Sequence, residues 1–345
     1  MGTGHVMRCL TLADALKQRG AQTCFISRDL PIHLRGMLVA KGHELVLLDS
    51  VQNDVALDEL AHAHWLGVSQ AQDAADSIKA LHGVDWDWLI VDHYALDARW
   101  ESMLRHTAKK ILVIDDIADR RHDCDMLLDQ NFYADMDARY TAKVPAHCRL
   151  LLGPHYALLR DEFRQLHGQV KPRTGPVKRI LVFFGGVDAD NYTALAIEVL
   201  ANISIKDLQV DVIIGAQHPH RAEIESACVE RGFVCHTQTS RMAELMAAAD
   251  LAIGAGGSAT WERCCLGLPA LLVALADNQI NIAKALNLLG ACIYVGALKT
   301  ASATNMRNVI VSLLVAQDQL KILSEKSYSL VDGLGVDRVC QEMSC

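Results

Sequence analysis

A glycine-rich turn between a short apolar run and a helix-like segment is the feature that most constrains this chain. The apolar run, residues 249–253, has the length of a buried parallel strand, and residues 260–266 are predicted to form a helix. The turn between them, Gly254-Ala255-Gly256-Gly257-Ser258-Ala259, would bring unpaired backbone N–H groups and the positive end of a helix dipole to one point. It therefore suits a phosphate or diphosphate, although an ordinary tight turn of an α/β domain fits the same pattern.

The residues around this turn narrow the choice of ligand only in part. Glu262 falls in the first turn of the predicted helix, where a carboxylate can reach a sugar hydroxyl. The sequence is neither the dinucleotide fingerprint Gly-x-Gly-x-x-Gly nor a Walker loop with its lysine. The turn alone therefore does not identify its ligand.

The rest of the chain alternates between predicted strands and helices, which indicates βαβ units and parallel sheets, an α/β fold. The predicted strands of the first half are residues 22–27, 44–48, 88–92, 111–115 and 126–128, and the helices between them are residues 31–40, 71–81 and 97–106. Residues 53–67 have no clear period and are predicted to be irregular. The alternation resumes at residue 179 and continues to about residue 330.

A length of 345 residues favours two domains, because single hydrophobic cores stop growing near ~250 residues. Residues 150–179 combine Pro, Gly and charged residues between apolar runs, as linkers do. We therefore predict an N-terminal domain over residues 1–165 and a C-terminal domain over residues 176–330. The remaining residues, 331–345, are expected to form a helix that could cross back to the first domain.

Composition excludes several classes of partner. The net charge is −8, and the 33 Lys and Arg residues form no basic stripe, so nucleic acid is not an expected partner. No apolar run reaches ~18 residues and no signal peptide opens the sequence, so we expect a cytoplasmic protein without a membrane partner. The 11 Cys residues include no Cys-x-x-Cys pair and are expected to be reduced packing residues.

The chain opens on a second glycine turn, Met1-Gly2-Thr3-Gly4-His5, which runs into an amphipathic helix ending near Arg19. Gly2 and Gly4 would allow a ligand to approach the backbone closely. His5 falls at the helix N-terminus, where the dipole favours the neutral, base-competent imidazole. A purely structural histidine at a helix start is the alternative reading of His5.

Polar residues also gather at two predicted strand ends, which is where ligands bind in an open parallel sheet. Asp92-His93-Tyr94 ends one strand and Asp115-Asp116 ends the next. The alternative role for Asp116 is turn formation. Paired acids could in principle hold a metal, but adjacent residues at a strand end point in opposite directions. We therefore expect no metal site and no cofactor.

Taken together, these motifs resemble one family from residue 2 to about residue 300. The chain resembles the UDP-2,4-diacetamido-2,4,6-trideoxy-β-L-altropyranose hydrolases of bacterial pseudaminic acid biosynthesis. That family is similar to the GT-B glycosyltransferases, which implies two Rossmann-like, doubly wound domains facing a cleft, with the nucleotide held mainly by the second. The resemblance is carried by Gly-Thr-Gly-His-Val-Met-Arg-Cys-Leu-Thr-Leu-Ala near the start, Asp92-His93-Tyr94-Ala95-Leu96-Asp97, Ile114-Asp115-Asp116-Ile117-Ala118-Asp119-Arg120, Leu128-Asp129-Gln130-Asn131, Gly153-Pro154, Phe184-Gly185-Gly186 and Gly256-Gly257-Ser258.

The resemblance implies hydrolysis of the bond between the anomeric carbon and the diphosphate, with inversion and without a metal. It makes His5 the base that activates water, and it makes Tyr94 and Asn278 active-site residues that orient the sugar or the water. It also places the diphosphate on Gly257 and Ser258, and the ribose on Glu262. The other predicted substrate-binding residues are Gly2, Gly4, Arg8, Asp92, Gly186, Gly256 and Gln279. A UDP-sugar is then the only expected partner, and the chain is expected to be a monomer.

One departure from the family pattern matters. Family members carry a strand ahead of the Gly-x-Gly-His turn, whereas this sequence starts inside the turn, so we expect the first strand of the N-terminal domain to be missing and its neighbours to lack backbone partners. Two other functions stay open on the sequence. They are a GT-B glycosyltransferase that passes the sugar of a UDP-sugar to an acceptor, and an inactive UDP-sugar-binding protein.

Overall fold

The computed structural model describes residues 3–49, 58–298 and 300–344. The chain divides into two compact units. Unit 1 comprises Met1–Asn131, Asp135–Leu158 and Gly335–Cys345, and unit 2 comprises Phe132–Ala134 and Leu159–Leu334. The last helix of the chain is thus grouped with the first unit, and the main division falls at Leu158 rather than at residue 165.

Strands and helices alternate along the chain. The first half contains α1 (Thr3–Gln18), β1 (Cys24–Ser27), α2 (Ile32–Ala40), β2 (Glu44–Leu47), α3 (Gln70–Leu81), β3 (Trp86–Val91), α4 (Ala98–Leu104), β4 (Ala108–Ile114), β5 (Met126–Asp129) and β6 (Arg149–Leu152). The second half contains α5 (Asp161–His167), β7 (Arg179–Phe183), α6 (Tyr192–Ala201), β8 (Gln209–Ile214), α7 (Arg221–Arg231), β9 (Val234–Thr237), α8 (Met242–Ala248), β10 (Leu251–Ala255), α9 (Ala259–Cys265), β11 (Ala270–Ala274), α10 (Asp277–Leu289), β12 (Ile293–Ala297), α11 (Ala303–Val315), α12 (Gln317–Tyr328) and α13 (Gly335–Met343).

Two details of the sequence prediction are wrong in this part of the fold. The segment taken as a linker contains β6 and α5, because a four-residue strand and a seven-residue helix are too short to show a clear period. The predicted turn at the start is helical from Thr3, so Gly4 and His5 lie in the first turn of α1. Gly2 lies outside the described residues.

Unit 1 contains two parallel sheets, one of β1 and β2 and one of β3, β4, β5 and β6. Among the residues that the structure describes, β1 pairs only with β2, and β3 pairs only with β4. Helix α13 packs on this unit, where the Trp88 Nε1–H group donates to the Met343 carbonyl at 3.0 Å.

Unit 2 is a doubly wound domain built on one parallel sheet of six strands. The strand order is β12-β11-β10-β7-β8-β9, so the chain direction across the sheet reverses between β7 and β10. In such sheets ligands bind outside the carboxyl ends of the strands at that reversal. The site-bearing turns after β7 and β10 therefore flank the position where this fold binds ligands.

The turn after β10 is shorter than the sequence predicts, because the strand continues through Gly254 and Ala255. Gly254 pairs with Phe183 of β7. A Cβ atom at Gly254 would lie 2.1 Å from the Phe183 carbonyl oxygen, so the close approach of the two strands requires a glycine there. The turn proper is Gly256-Gly257-Ser258. None of the helices in the described ranges is both long and apolar enough to cross a membrane.

Candidate functional site

The carboxyl edge of the unit 1 sheet carries a cluster of charged side chains. Asp92 directly follows β3 and Asp116 follows β4 by two residues, and these two strands are parallel neighbours. Helix α1 brings His5 and Arg8 to the same edge, three residues apart and therefore on one helix face. The polar strand ends and the N-terminal histidine of the sequence analysis thus meet in one place.

His5 is held by a short hydrogen bond to Asp92. Its Nδ1 atom lies 2.6 Å from Asp92 Oδ1, and a carboxylate can only accept, so Nδ1 carries the proton. In the neutral imidazole the other ring nitrogen, Nε2, is then the unprotonated acceptor. The His5 side chain is 13% exposed, whereas that of Asp92 is 3% exposed. The pair therefore forms a buried carboxylate that orients a partly accessible base.

Arg8 joins the two aspartates of the cluster. Its Nε and Nη2 atoms donate to Asp92 Oδ2 and Oδ1 at 2.6 and 2.7 Å, and Nη1 donates to Asp116 Oδ2 at 2.9 Å. Burial alone would raise the pKa of Asp92, but the charges of Arg8 and His5 outweigh it and hold that pKa well below its ordinary value. Asp92 is therefore ionised at neutral pH, and its two oxygens are already bonded within the chain.

Tyr94 completes the cluster. Its hydroxyl donates to Asp116 Oδ1, and its ring meets the His5 ring edge to face with centroids 4.8 Å apart. Burial and the neighbouring Asp116 carboxylate raise the pKa of Tyr94, so the phenol stays protonated. Tyr94 thus contacts His5 directly while its hydroxyl is anchored.

In unit 2 the predicted residues lie on turns at the carboxyl ends of three neighbouring strands. Gly186 follows β7, the 256–258 turn follows β10, and Asn278 and Gln279 lie in the first turn of α10 after β11. Gln279 Oε1 accepts from the Leu275 backbone N–H group at 3.0 Å. The same side chain packs beside the 256–258 turn, since a Cβ atom at Gly256 would lie 3.4 Å from Gln279 Cβ.

The 256–258 turn has backbone donors to offer. The Gly256 N–H group donates a hydrogen bond to the Val273 carbonyl of β11 at 3.1 Å. In residues 3–49, 58–298 and 300–344, no hydrogen bond uses the N–H group of Gly257 or Ser258, and the Ser258 side chain caps no helix. Two adjacent free donors at the reversal point of a doubly wound sheet suit the oxygens of a diphosphate.

Glu262 is held by a cation of its own unit. Its Oε1 atom accepts from Arg160 Nη2 at 3.2 Å, and Arg160 Nη1 also contacts Glu162 Oε1 at 2.8 Å. Burial raises the pKa of Glu262, and Arg160 opposes this shift. Within the described part of the chain Oε2 of Glu262 has no hydrogen-bond partner, so this oxygen can accept from a ligand hydroxyl.

A buried cation that no sequence motif predicts, Arg263, lies beneath the 256–258 turn. Arg263 is 1% exposed, and its Nη2 donates to the Ala255 carbonyl at 2.5 Å and to Thr260 Oγ1 at 3.1 Å. Its Nε and Nη1 atoms find no partner among the described residues, and no carboxylate there forms an ion pair with it. Burial lowers the pKa of this guanidinium. An arginine beside Glu262 in a short helix looks like a surface residue, so no sequence signal reveals it.

The structure thus gathers His5, Arg8, Asp92 and Tyr94 in unit 1. In unit 2 it gathers Gly256, Gly257, Ser258, Glu262 and Gln279, with Gly186 and Asn278 on adjacent turns. Gly4 lies in the first turn of α1. No group of three or more His, Cys, Asp or Glu residues in the described ranges is arranged to hold a metal ion. Whether the protein works without a metal stays a prediction.

Known proteins are similar either to part of this chain or to nearly all of it. Residues 179–330 match the Glycosyltransferase family 28 C-terminal domain. Spore coat polysaccharide biosynthesis protein SpsG of Bacillus subtilis is 24% identical over 98% of this chain and 93% of its own length. The UDP-2,4-diacetamido-2,4,6-trideoxy-beta-L-altropyranose hydrolase of Campylobacter jejuni is 35% identical, over 31% of this chain and 37% of its own length.

The similarity also extends to solved structures. The crystal structure of MurG from Acinetobacter baumannii superposes with a TM-score of 0.66 and 18% identity, over 99% of this chain and 97% of that one. At that level of identity the likeness establishes the fold alone. The chain therefore has the GT-B glycosyltransferase fold, and its residues 179–330 match the C-terminal domain of glycosyltransferase family 28.

Proposed function

We propose that this protein is an enzyme that hydrolyses a UDP-linked 2,4-diacetamido-2,4,6-trideoxyhexose to UDP and the free sugar, as a step of pseudaminic acid biosynthesis. The observation that carries the proposal is the His5–Asp92 pair, which leaves the Nε2 atom of a partly accessible histidine as a proton acceptor. The motifs shared with the pseudaminic acid hydrolases and the partial match to the Campylobacter jejuni enzyme support the choice of substrate.

The proposed reaction uses one water molecule. Its oxygen attacks the anomeric carbon on the face opposite UDP, and His5 Nε2 takes the proton that the water loses. Asp92 stabilises the imidazolium that forms, because its negative charge lies 2.6 Å away. The bond between the anomeric carbon and the diphosphate oxygen breaks, and its electron pair leaves with UDP, so the configuration inverts.

Unit 2 would receive the departing diphosphate. The free N–H groups of Gly257 and Ser258 can donate to its oxygens, and the buried charge of Arg263 raises the potential at the turn. In this scheme Tyr94 and Asn278 orient the sugar or the water, Glu262 binds the ribose, and Gly186 and Gln279 line the neighbouring turns. Asp92 orients His5, and Arg8 holds Asp92 in place.

A glycosyltransferase is the second candidate. The match of residues 179–330 to glycosyltransferase family 28 and the likeness to a spore coat polysaccharide biosynthesis protein favour it. The chemistry differs only in the nucleophile, since His5 could deprotonate an acceptor hydroxyl in place of water. An inactive UDP-sugar-binding protein is the third candidate.

Incubation of the purified protein with the UDP-sugar alone separates these functions. We expect free UDP and free sugar to appear in equal amounts without any acceptor, with the released sugar initially of inverted configuration by NMR. Release of UDP only after an acceptor is added would establish a transferase. Tight binding without any release of UDP would establish a binding protein.

We predict that EDTA leaves this activity unchanged, because the scheme stabilises the diphosphate with backbone donors and a buried cation. The measurement is the rate of UDP release before and after chelation, with dialysis against metal-free buffer as the control. Loss of activity on chelation and recovery with Mg²⁺ or Mn²⁺ would contradict the metal-free mechanism. Location in the cytoplasm and a monomeric state likewise stay predictions from the sequence.

Replacing Gly257 with valine is expected to lower the affinity for UDP but not the affinity for uridine. A Cβ atom at Gly257 would meet only Gln279 Nε2, at 3.8 Å, so the fold tolerates the side chain while the diphosphate loses its approach to the turn. We expect a loss on the order of 1.5–3 kcal/mol, as for hydrogen bonds to a charged group. Calorimetric titration with both ligands measures it, with Gly168→Val as a matched control because Gly168 also has open space around it. If the affinity for uridine falls by the same amount, or if the affinity for UDP does not change, the diphosphate does not bind at this turn.

Glu262→Ala is expected to weaken the binding of UDP and of uridine equally, by on the order of 1–3 kcal/mol of binding free energy. The reason is that both ligands carry the ribose that Glu262 would bind. These hydrogen bonds exist in the ground state and in the transition state, so KM should rise while kcat holds. Glu162→Ala is the matched control, since it removes the other carboxylate that contacts Arg160. If the two variants behave alike, the effect comes from Arg160 and the ribose contact is wrong.

A further inference from the structure

A group of aromatic rings lies next to His5 in unit 1. The rings of His62, Trp65 and Tyr94 contact one another, with centroids 4.6 Å apart for His62 and Trp65, 5.4 Å for His62 and Tyr94, and 5.8 Å for Trp65 and Tyr94. We call these three side chains the aromatic wall. Tyr94 is also the residue whose ring meets His5, so the wall is one ring away from the base. His62 and Trp65 come from the segment that the sequence analysis left without a period or a role.

The wall is fixed in place but only partly covered. Trp65 closes a short 3-10 turn, Ala63–Trp65, and the residues that follow, Leu66 and Val68, are 7% and 3% exposed in the unit 1 core. Trp65 itself is 36% exposed, and neither it nor His62 forms a side-chain hydrogen bond with any residue that the structure describes. An anchored indole with an open surface and a free N–H group, one ring away from the proposed base, has the character of a ligand contact.

The chemistry of the wall specifies the kind of ligand. Three rings offer an apolar surface, and the indole and imidazole N–H groups add donors at its margin. A hexose that carries a methyl group at C6 and acetamido groups on its ring matches both properties, because methyl groups pack on rings and amide oxygens accept hydrogen bonds. A fully hydroxylated hexose would instead lose water from its hydroxyl groups against an apolar surface.

We propose that the aromatic wall is the sugar subsite and that it selects a deoxy, N-acetylated hexose over one with a free C6 hydroxyl. This inference rests on the proposed function, because it assigns the wall to the sugar of the same UDP-sugar. The wall makes Trp65 the main determinant of specificity, since it is the largest and most open of the three rings. His62 supports Trp65 on one side, and Tyr94 links it to the base.

The test compares two substrates in the full chain. They are the UDP-linked 2,4-diacetamido-2,4,6-trideoxyhexose and UDP-N-acetylglucosamine, which keeps its C4 and C6 hydroxyl groups. We expect Trp65→Ala to lower kcat/KM for the first substrate by about tenfold or more, the scale on which apolar pockets discriminate, and to change the second much less. Trp65→Phe should restore most of the loss, because a phenyl ring keeps the apolar surface. The Kd of UDP should stay that of the parent.

The control is His64→Ala, because the His64 ring also contacts the Trp65 ring, with centroids 6.1 Å apart, but lies outside the wall. It should leave the ratio of the two kcat/KM values unchanged. An equal loss for both substrates, or a weaker Kd for UDP in Trp65→Ala, would mean that Trp65 only supports the structure, and unchanged kinetics would mean that the sugar binds elsewhere. Either result overturns the sugar subsite.

A binding measurement separates this proposal from the proposed function. Calorimetry on His5→Asn, in which the substrate should stay intact, gives the Kd of both UDP-sugars before and after Trp65→Ala is added to the same variant. The subsite is supported if only the trideoxy sugar loses affinity, even when the parent protein turns over neither compound. If the parent hydrolyses the trideoxy substrate but Trp65→Ala keeps both affinities, the hydrolase stands and the subsite fails.

Discussion

His5→Ala is expected to lower kcat by about 10²–10⁴-fold, the usual cost of removing a general base, while the affinity for UDP stays that of the parent. The reason is that proton transfer and diphosphate binding involve different residues in the proposed scheme. His5 takes the proton from water at one end of the reaction, whereas the diphosphate is bound by the turn after β10. The loss should therefore appear in the rate of UDP release at saturating substrate, and the Kd of UDP measured by calorimetry should not change.

The chain provides a matched control for this result. His43 is a buried histidine that is also bonded to an aspartate, with Nε2 2.8 Å from Asp14 Oδ1, and it belongs to the β1 and β2 region rather than to the cluster. His43→Asn should keep the parent kcat in the protein that folds. A His5→Ala variant that retains more than about a third of the parent kcat would remove His5 as the base, because that loss is far below the usual range.

Much of this site follows from the sequence, because parallel strands place their carboxyl ends at one edge. Asp92 and Asp116 each follow an apolar run of strand length, and their meeting needs only the adjacency of β3 and β4. Asp115 and Asp116 have different hydrogen-bond partners. Asp115 is fully buried and receives hydrogen bonds from Tyr140 and from the Ala118 backbone, whereas Asp116 faces Arg8.

The remaining features depend on side chains that are distant in sequence, and no local pattern encodes them. Arg8 binds Asp92 across 84 positions, so a sequence can place each at its own element without showing that they pair. The burial of Arg263 follows from the packing of α9 against β10, while its neighbours in sequence give no sign of it. The end of β10 was misplaced because Gly254 looks like a turn residue, although its role is to let β7 approach.

Asp92→Asn is expected to slow the reaction by about 10²–10⁴-fold, as much as the loss of the base itself. The amide oxygen of the introduced asparagine would accept from Arg8, which leaves the amide N–H groups facing His5 Nδ1. That ring nitrogen would then have to accept, so the proton would move to Nε2, where it blocks the removal of a proton from water. The imidazolium that forms in the reaction would also lose its neighbouring negative charge.

Asp116→Asn is the matched control for that result, because Asp116 is the other carboxylate on Arg8, and its two oxygens accept hydrogen bonds from Arg8 and Tyr94. If Asp92 acts by orienting His5, Asp116→Asn should cost much less than Asp92→Asn. Similar losses in the two variants would instead assign the effect to the charge or the placement of Arg8. Calorimetry with UDP, whose affinity should not change, shows that the nucleotide site of unit 2 remains intact.

A double-mutant cycle decides whether Asp92 acts through His5 or on its own. Once His5 is alanine, Asp92 has no imidazole to orient, so His5→Ala combined with Asp92→Asn should be no slower than His5→Ala alone. Two losses that multiply would mean that Asp92 contributes independently, for example by contacting the substrate as the sequence analysis predicts. Because Arg8 and His5 already occupy both oxygens of this carboxylate at 2.6 to 2.7 Å, we expect the losses not to multiply.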